Sequence, residues 1–99
     1  MKIEIGKRAR RQVERASSWW EENRPSAPSL FEEEFERALR QLLSKPNSGV
    51  FYPTAKRPAL RRLLLPKTEY HVYFACERNE TVIVIHSVWG ARRGLGPKL

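Results

Sequence analysis

Polar and apolar residues alternate through Lys2-Ile3-Glu4-Ile5, with the β-branched side chains on one side and Gly6 beyond them, which predicts a short opening strand. From Ala9 the period lengthens. Ala9, Val13, Ala16 and Trp20 recur at helical spacing while Arg8, Arg11, Arg15 and Glu22 fall elsewhere, predicting an amphipathic helix over residues 8 to 23. Asn23-Arg24-Pro25-Ser26 ends it. A second helix is predicted over residues 27 to 44, with Phe31, Phe35, Ala38, Leu39 and Leu42 on its apolar face. Ser29 and Glu32 have capping-box spacing, and Glu32, Glu33 and Glu34 lie where the helix dipole favours negative charge. Glu33 with Arg37, and Glu36 with Arg40, add acid-first pairs four apart, so the acidic patch needs no functional explanation.

Lys45-Pro46-Asn47-Ser48-Gly49 breaks the helical pattern, and the remainder of the chain has an extended one. Strands are predicted at Leu60 to Leu65, Tyr70 to Cys76 and Thr81 to Trp89, with turns at Pro66 to Glu69 and Glu77 to Glu80. The last two strands form a hairpin. The closing strand is apolar on both faces for most of its length, which predicts a central position in the sheet.

These elements describe an α+β fold of order β-α-α-β-β-β. A two-helix hairpin packs on one face of a mainly antiparallel sheet, and the other face stays open. Phe35, Leu39, Leu42, Val72 and Val84 are the expected core. Residues 1 to 89 read as a single domain. Residues 90 to 99, with three Gly and a Pro, read as a basic glycine-rich tail lying over the surface or staying mobile.

Nineteen Lys and Arg stand against eleven Asp and Glu, a formal net charge of +8 on 99 residues. Residues 50 to 99 carry nine of the bases and three of the acids, so the excess sits mainly in the second half. Lys56, Arg57, Arg61, Arg62 and Lys67 form one acid-free stretch, and Arg92, Arg93 and Lys98 another, a distribution that suits a polyanion or an acidic protein partner. No apolar run approaches the ~20 residues that span a bilayer, and Met1 to Ile5 lack a signal-peptide core, so a cytoplasmic protein without membrane attachment is expected. Cys76 is the single cysteine, and no third ligand joins it and the two histidines at useful spacing. Neither a metal nor another cofactor is expected.

An arginine opens Arg62-Leu63-Leu64-Leu65, Tyr70-His71-Val72-Tyr73-Phe74 comes next, and the chain closes its last strand with Val84-Ile85-His86-Ser87-Val88-Trp89-Gly90-Ala91-Arg92. With the proline-bounded second helix and the order of elements, this resembles the ParE and RelE toxin superfamily of bacterial type II toxin–antitoxin pairs over nearly the whole chain. The resemblance implies a growth-inhibiting toxin held inactive by a cognate antitoxin, in a hetero-oligomer of the two. RelE-like members cut messenger RNA on the ribosome, whereas ParE-like members poison DNA gyrase.

Metal-independent RNA cleavage needs one group to deprotonate the 2′-hydroxyl, another to protonate the leaving oxygen, and cations beside the phosphorane. RelE-like toxins commonly place a Tyr or His near the end of the last strand. Here that end is Trp89, whose indole N–H is no acid or base at neutral pH. The adjoining Gly90-Ala91-Arg92 resembles ParE-like endings. The gyrase reading is therefore favoured, with Arg62, Trp89, Arg92 and Arg93 as target-binding residues and no catalytic residue. The alternative makes His86 the proton carrier with Arg62 as phosphate clamp; against it, alternation places His86 in a row with Val82, Val84 and Val88, as a packing residue. Trp19, Arg61, Arg62 and Arg92 are the expected antitoxin contacts, because Trp20 continues the apolar stripe and leaves Trp19 outside it. A basic nucleic-acid-binding module is a further alternative, with salt-sensitive affinity of the isolated chain for DNA or RNA.

Overall fold

A computed structural model describes residues 1–92, 96, 97 and 99. Strand β1 (Lys2–Ile5) leads through Gly6 into helix α1 (Lys7–Asn23), and helix α2 (Leu30–Ser44) comes after it. Strands β2 (Val50–Phe51), β3 (Arg61–Leu65), β4 (Tyr70–Glu77) and β5 (Val82–Gly90) complete the order of elements. They form one sheet in the order β1-β5-β4-β3-β2. β1 runs parallel to β5 and every other neighbour is antiparallel, so β5 is central, as its two-sided apolar pattern predicts.

The architecture is α+β, with the helices on one sheet face. Ala9 and Ala16 of α1, and Phe31, Phe35, Ala38 and Leu42 of α2, are buried against Val72 and Phe74 of β4 and Ile83, Ile85 and Val88 of β5. Small residues on α1 let it approach β5 closely, while α2 supplies the bulk. Leu39 and Trp20 pack against this core only partly buried. α2 begins at Leu30 rather than near residue 27, because Ala27 and Leu30 close turns onto the Arg24 and Ala27 carbonyls. Nor does the capping box form: Ser29 makes no side-chain cap, and the Glu32 carboxylate instead accepts the Ser17 hydroxyl of α1.

Three features depart from simple alternation. First, β2 is a two-residue edge strand in addition to the predicted ones, tied to β3 by Val50–Arg62 and Phe51–Arg61 pairing. Second, Tyr73 pairs with Ser87 but Phe74 pairs with Ile85, so His86 is a bulge residue in β5. Val88 thereby turns into the helix-side core, His86 no longer shares its row, and Val84 on the far face is only partly buried rather than core. Third, the far face is not fully open. Leu60, Tyr73 and Ala75 are buried outside the main core, and Tyr52, from the loop between β2 and β3, meets the Tyr73 ring edge-on at 5.2 Å. In the tail, a Cβ added at Gly96 would stand 3.2 Å from the Tyr52 hydroxyl.

Glu34 is buried in α2, where its carboxylate accepts the Lys67 and Thr68 backbone N–H groups, both at 2.8 Å, and the Thr68 hydroxyl at 2.7 Å. The acid thus clamps the β3–β4 turn to the helix layer. Burial alone pushes its pKa up, but the hydrogen bonds from Lys67 and Thr68 outweigh that cost and hold it below the usual range.

Candidate functional site

The second half of α1 stands away from the end of β5 and the β3–β4 turn, leaving a cleft of about 750 Å³. Arg15, Trp19, Trp20 and Arg24 line its helical wall, while Lys67, Trp89 and Arg92 belong to the opposite side. Trp19 is 44% exposed and Trp20 turns inward, as their adjacency on one helix requires. The two rings meet edge-on at 5.9 Å, and the Arg24 guanidinium lies 4.9 Å from the Trp19 centroid and 5.6 Å from that of Trp20. Glu69 is the one acid among the described lining residues, and it is engaged by Arg92 Nε at 2.6 Å. That pair is exposed and adds little stability, but it fixes where the basic end of the chain leaves β5.

On the far sheet face, residues of β3, β4 and β5 form transverse rows. Leu64, His71 and Trp89 lie directly opposite one another, and the adjacent row contains Val50, Arg62, Tyr73 and Ser87. The Arg62 guanidinium lies 4.6 Å from the Tyr52 ring centroid, and its enclosed Nε has no hydrogen-bond partner. Burial lowers the His71 pKa, and the charge of Arg62 lowers it further.

Trp19, Trp89 and Arg92 therefore come together at the cleft, while Arg62 belongs to the far-face row beside Trp89. Arg61 does neither. It points to the other side of β3, donating to the Asn47, Ser48 and Gly49 carbonyls at 2.8, 3.3 and 3.2 Å and covering the Phe51 ring at 4.6 Å. These contacts make it a brace for the α2–β2 loop. Arg93 lies outside the described residues.

His86 is tied to Glu77, with Nε2 and Oε2 at 2.5 Å. Sequence reasoning misses this pair, since Glu77 falls in a predicted turn and the bulge is invisible to period counting. It also misses Gln12, whose side-chain carbonyl accepts the Val88 N–H at 2.7 Å and the Ser87 hydroxyl at 3.1 Å, and which lines the cleft. Among the described residues no group of three or more His, Cys, Asp or Glu could hold a metal ion, and no helix is long and apolar enough to cross a membrane.

A scan against protein-family models found no match, and a search of curated proteins found none either.

Proposed function

We propose that this chain is a ParE-like toxin of a type II toxin–antitoxin pair, acting in the bacterial cytoplasm on DNA gyrase and neutralised by a cognate antitoxin. The observation that carries the reading is the end of β5. Trp89 sits there between the far-face row containing His71 and the cleft containing Arg92, giving aromatic surface and positive charge at a position where a nuclease gains from a titratable side chain. The order of elements supports the same family. On this reading the toxin performs no chemistry: Arg62, Trp89, Arg92 and Arg93 engage gyrase or the DNA it holds, and the cleaved intermediate of gyrase itself is trapped. Expression of the chain alone arrests bacterial growth on this account, and co-expression of the neighbouring gene relieves the arrest. Normal growth with folded, soluble protein present contradicts it.

One observation favours the RelE-like alternative, cleavage of ribosome-bound messenger RNA. The Glu77 carboxylate orients the His86 ring, the arrangement by which a carboxylate prepares a histidine for proton transfer. Against it, only 13% of the His86 side chain is exposed, which leaves little of it for substrate to reach.

A further inference from the structure

α1 opens against its own dipole. Lys7, Arg8 and Arg10 stand at its start, where the positive end of a helix disfavours cations, and its first turn contains no acid to offset them. α2 does the opposite, with Glu32 and Glu33 in its first turn. Residues 7 to 15 carry five bases and one acid. Lys7, Arg10, Arg11 and Arg15 are all exposed, and among the described residues no acid comes within ion-pair distance of them. The helix gains no stability from this charge, so the use of the charge lies outside the fold.

The cations are also ordered. Ala9, Val13, Ala16 and Trp20 turn toward the core, which leaves Arg11, Arg15 and Trp19 in a line on another side of the helix. Each step in that line is four residues, about 6 Å along the axis. The three residues border a shallow outer groove with Glu14, Ser18 and Glu22. Arg15 and Trp19 form the crest between this groove and the cleft, whereas Arg11, Glu14, Ser18 and Glu22 belong to the groove alone. The Trp19 ring is held by the Arg24 guanidinium and by the edge of Trp20, yet it stays exposed. A surface charged only for solubility has no need of a fixed, exposed indole.

We propose that this outer face of α1 binds a single strand of nucleic acid, with phosphates on Arg11 and Arg15, Lys7 and Arg10 extending the track, and a base stacked on Trp19. A cationic track beside an exposed aromatic ring suits a strand whose bases are unpaired, and a duplex withholds its base faces from the ring. Phosphate contacts and stacking are blind to the 2′-hydroxyl, so DNA and RNA strands are held alike. A membrane surface calls for an apolar stripe among the cations, but Trp19 is the one apolar residue bordering the groove. A second copy of this chain brings a further +8 and is repelled. The inference does not depend on the toxin reading, and growth arrest neither supports nor removes it.

The test measures binding of the full chain to fluorescently labelled twelve-nucleotide strands, oligo-dT and oligo-rU, and to a twelve-base-pair duplex, over a range of salt concentrations. Both strands are expected to bind within a few-fold of one another and more tightly than the duplex. Arg11→Gln with Arg15→Gln is expected to make the slope of log affinity against log salt shallower by about 1.4, two phosphate contacts at roughly 0.7 each. Trp19→Ala is expected to weaken binding about tenfold with the slope unchanged, and Trp19→Phe, which keeps a ring, to recover most of the loss. Circular dichroism checks that each variant is folded. Absence of binding, tighter binding of the duplex, a slope unchanged by the double substitution, or an affinity indifferent to Trp19→Ala overturns the proposal. Displacement of the strand by polyglutamate at equal charge concentration also overturns it, and makes the face a site for acidic protein instead.

Discussion

His86 Nε2 lies 2.5 Å from Glu77 Oε2, so the histidine displaced by the β5 bulge is bound to a carboxylate on the neighbouring strand. The bulge separates His86 from Val88, which turns inward, and the hydrogen bond to Glu77 engages Nε2, one of the two ring nitrogens. His86→Ala is expected to cost about 1 kcal/mol of stability, since Glu77 is left partly solvated rather than buried and unpaired. Denaturant unfolding measures this, and toxicity at matched expression is expected to persist.

Glu34 gives the fold its acid limit. Its folded-state pKa lies below that of the unfolded chain, so its contribution is complete above the unfolded value and is lost as pH falls through the folded one. The unfolding midpoint should therefore decline below about pH 4.5, the reference value for a glutamate. Glu34→Gln keeps the shape, halves the acceptor capacity and sets an amide NH₂ against the Lys67 and Thr68 donors. It is expected to cost about 2–3 kcal/mol at neutral pH and to flatten that acid limb.

His71 reports on Arg62. Burial and the guanidinium both disfavour the imidazolium, so the His71 ring should titrate below 6.5 by NMR, and stability should fall as pH drops from 6.5 through that lowered value. Arg62→Gln is expected to move the titration part of the way back, because burial, the larger cause, remains. An unchanged titration in the variant would separate the two residues electrostatically.

Gly49 turns the chain from α2 into β2 with φ at +77°, and a Cβ there would lie 2.2 Å from the Arg62 carbonyl oxygen. That neighbour is backbone and cannot swing aside. Gly49→Ala is expected to destabilise by more than about 2 kcal/mol, and Arg61→Ala, which frees the same loop from its carbonyl brace, by about 1–2 kcal/mol. Thermal unfolding of the two variants gives the order.

Local periodicity carries both helices, the β4–β5 hairpin and the central place of β5, because each depends on residues within a few positions of one another. It also separates Trp19 from Trp20 and Arg61 from Arg62. The features it misses depend on distant partners. Glu34 looks like a first-turn helix acid until Thr68, 34 residues on, is folded against it. β5 is apolar on both faces, so its pattern cannot show that a residue has slipped at His86, and Val84 reads as core for that reason. Gln12, an ordinary polar position on α1, gains its role only from the shortness of β1. The cleft is likewise assembled from α1, the β3–β4 turn and the end of β5, of which the sequence marks only Trp19, Trp89 and Arg92.

The most direct test of the central claim is a gyrase assay with the purified chain, run beside a ribosome-bound messenger RNA. Inhibition of supercoiling, or a raised yield of cleaved DNA–gyrase complex, with intact messenger is the predicted result, and it is expected to survive His86→Ala and to weaken in Arg92→Glu. Intact gyrase activity together with codon-positioned cuts in the messenger that disappear in His86→Ala would contradict the account and make this chain a nuclease.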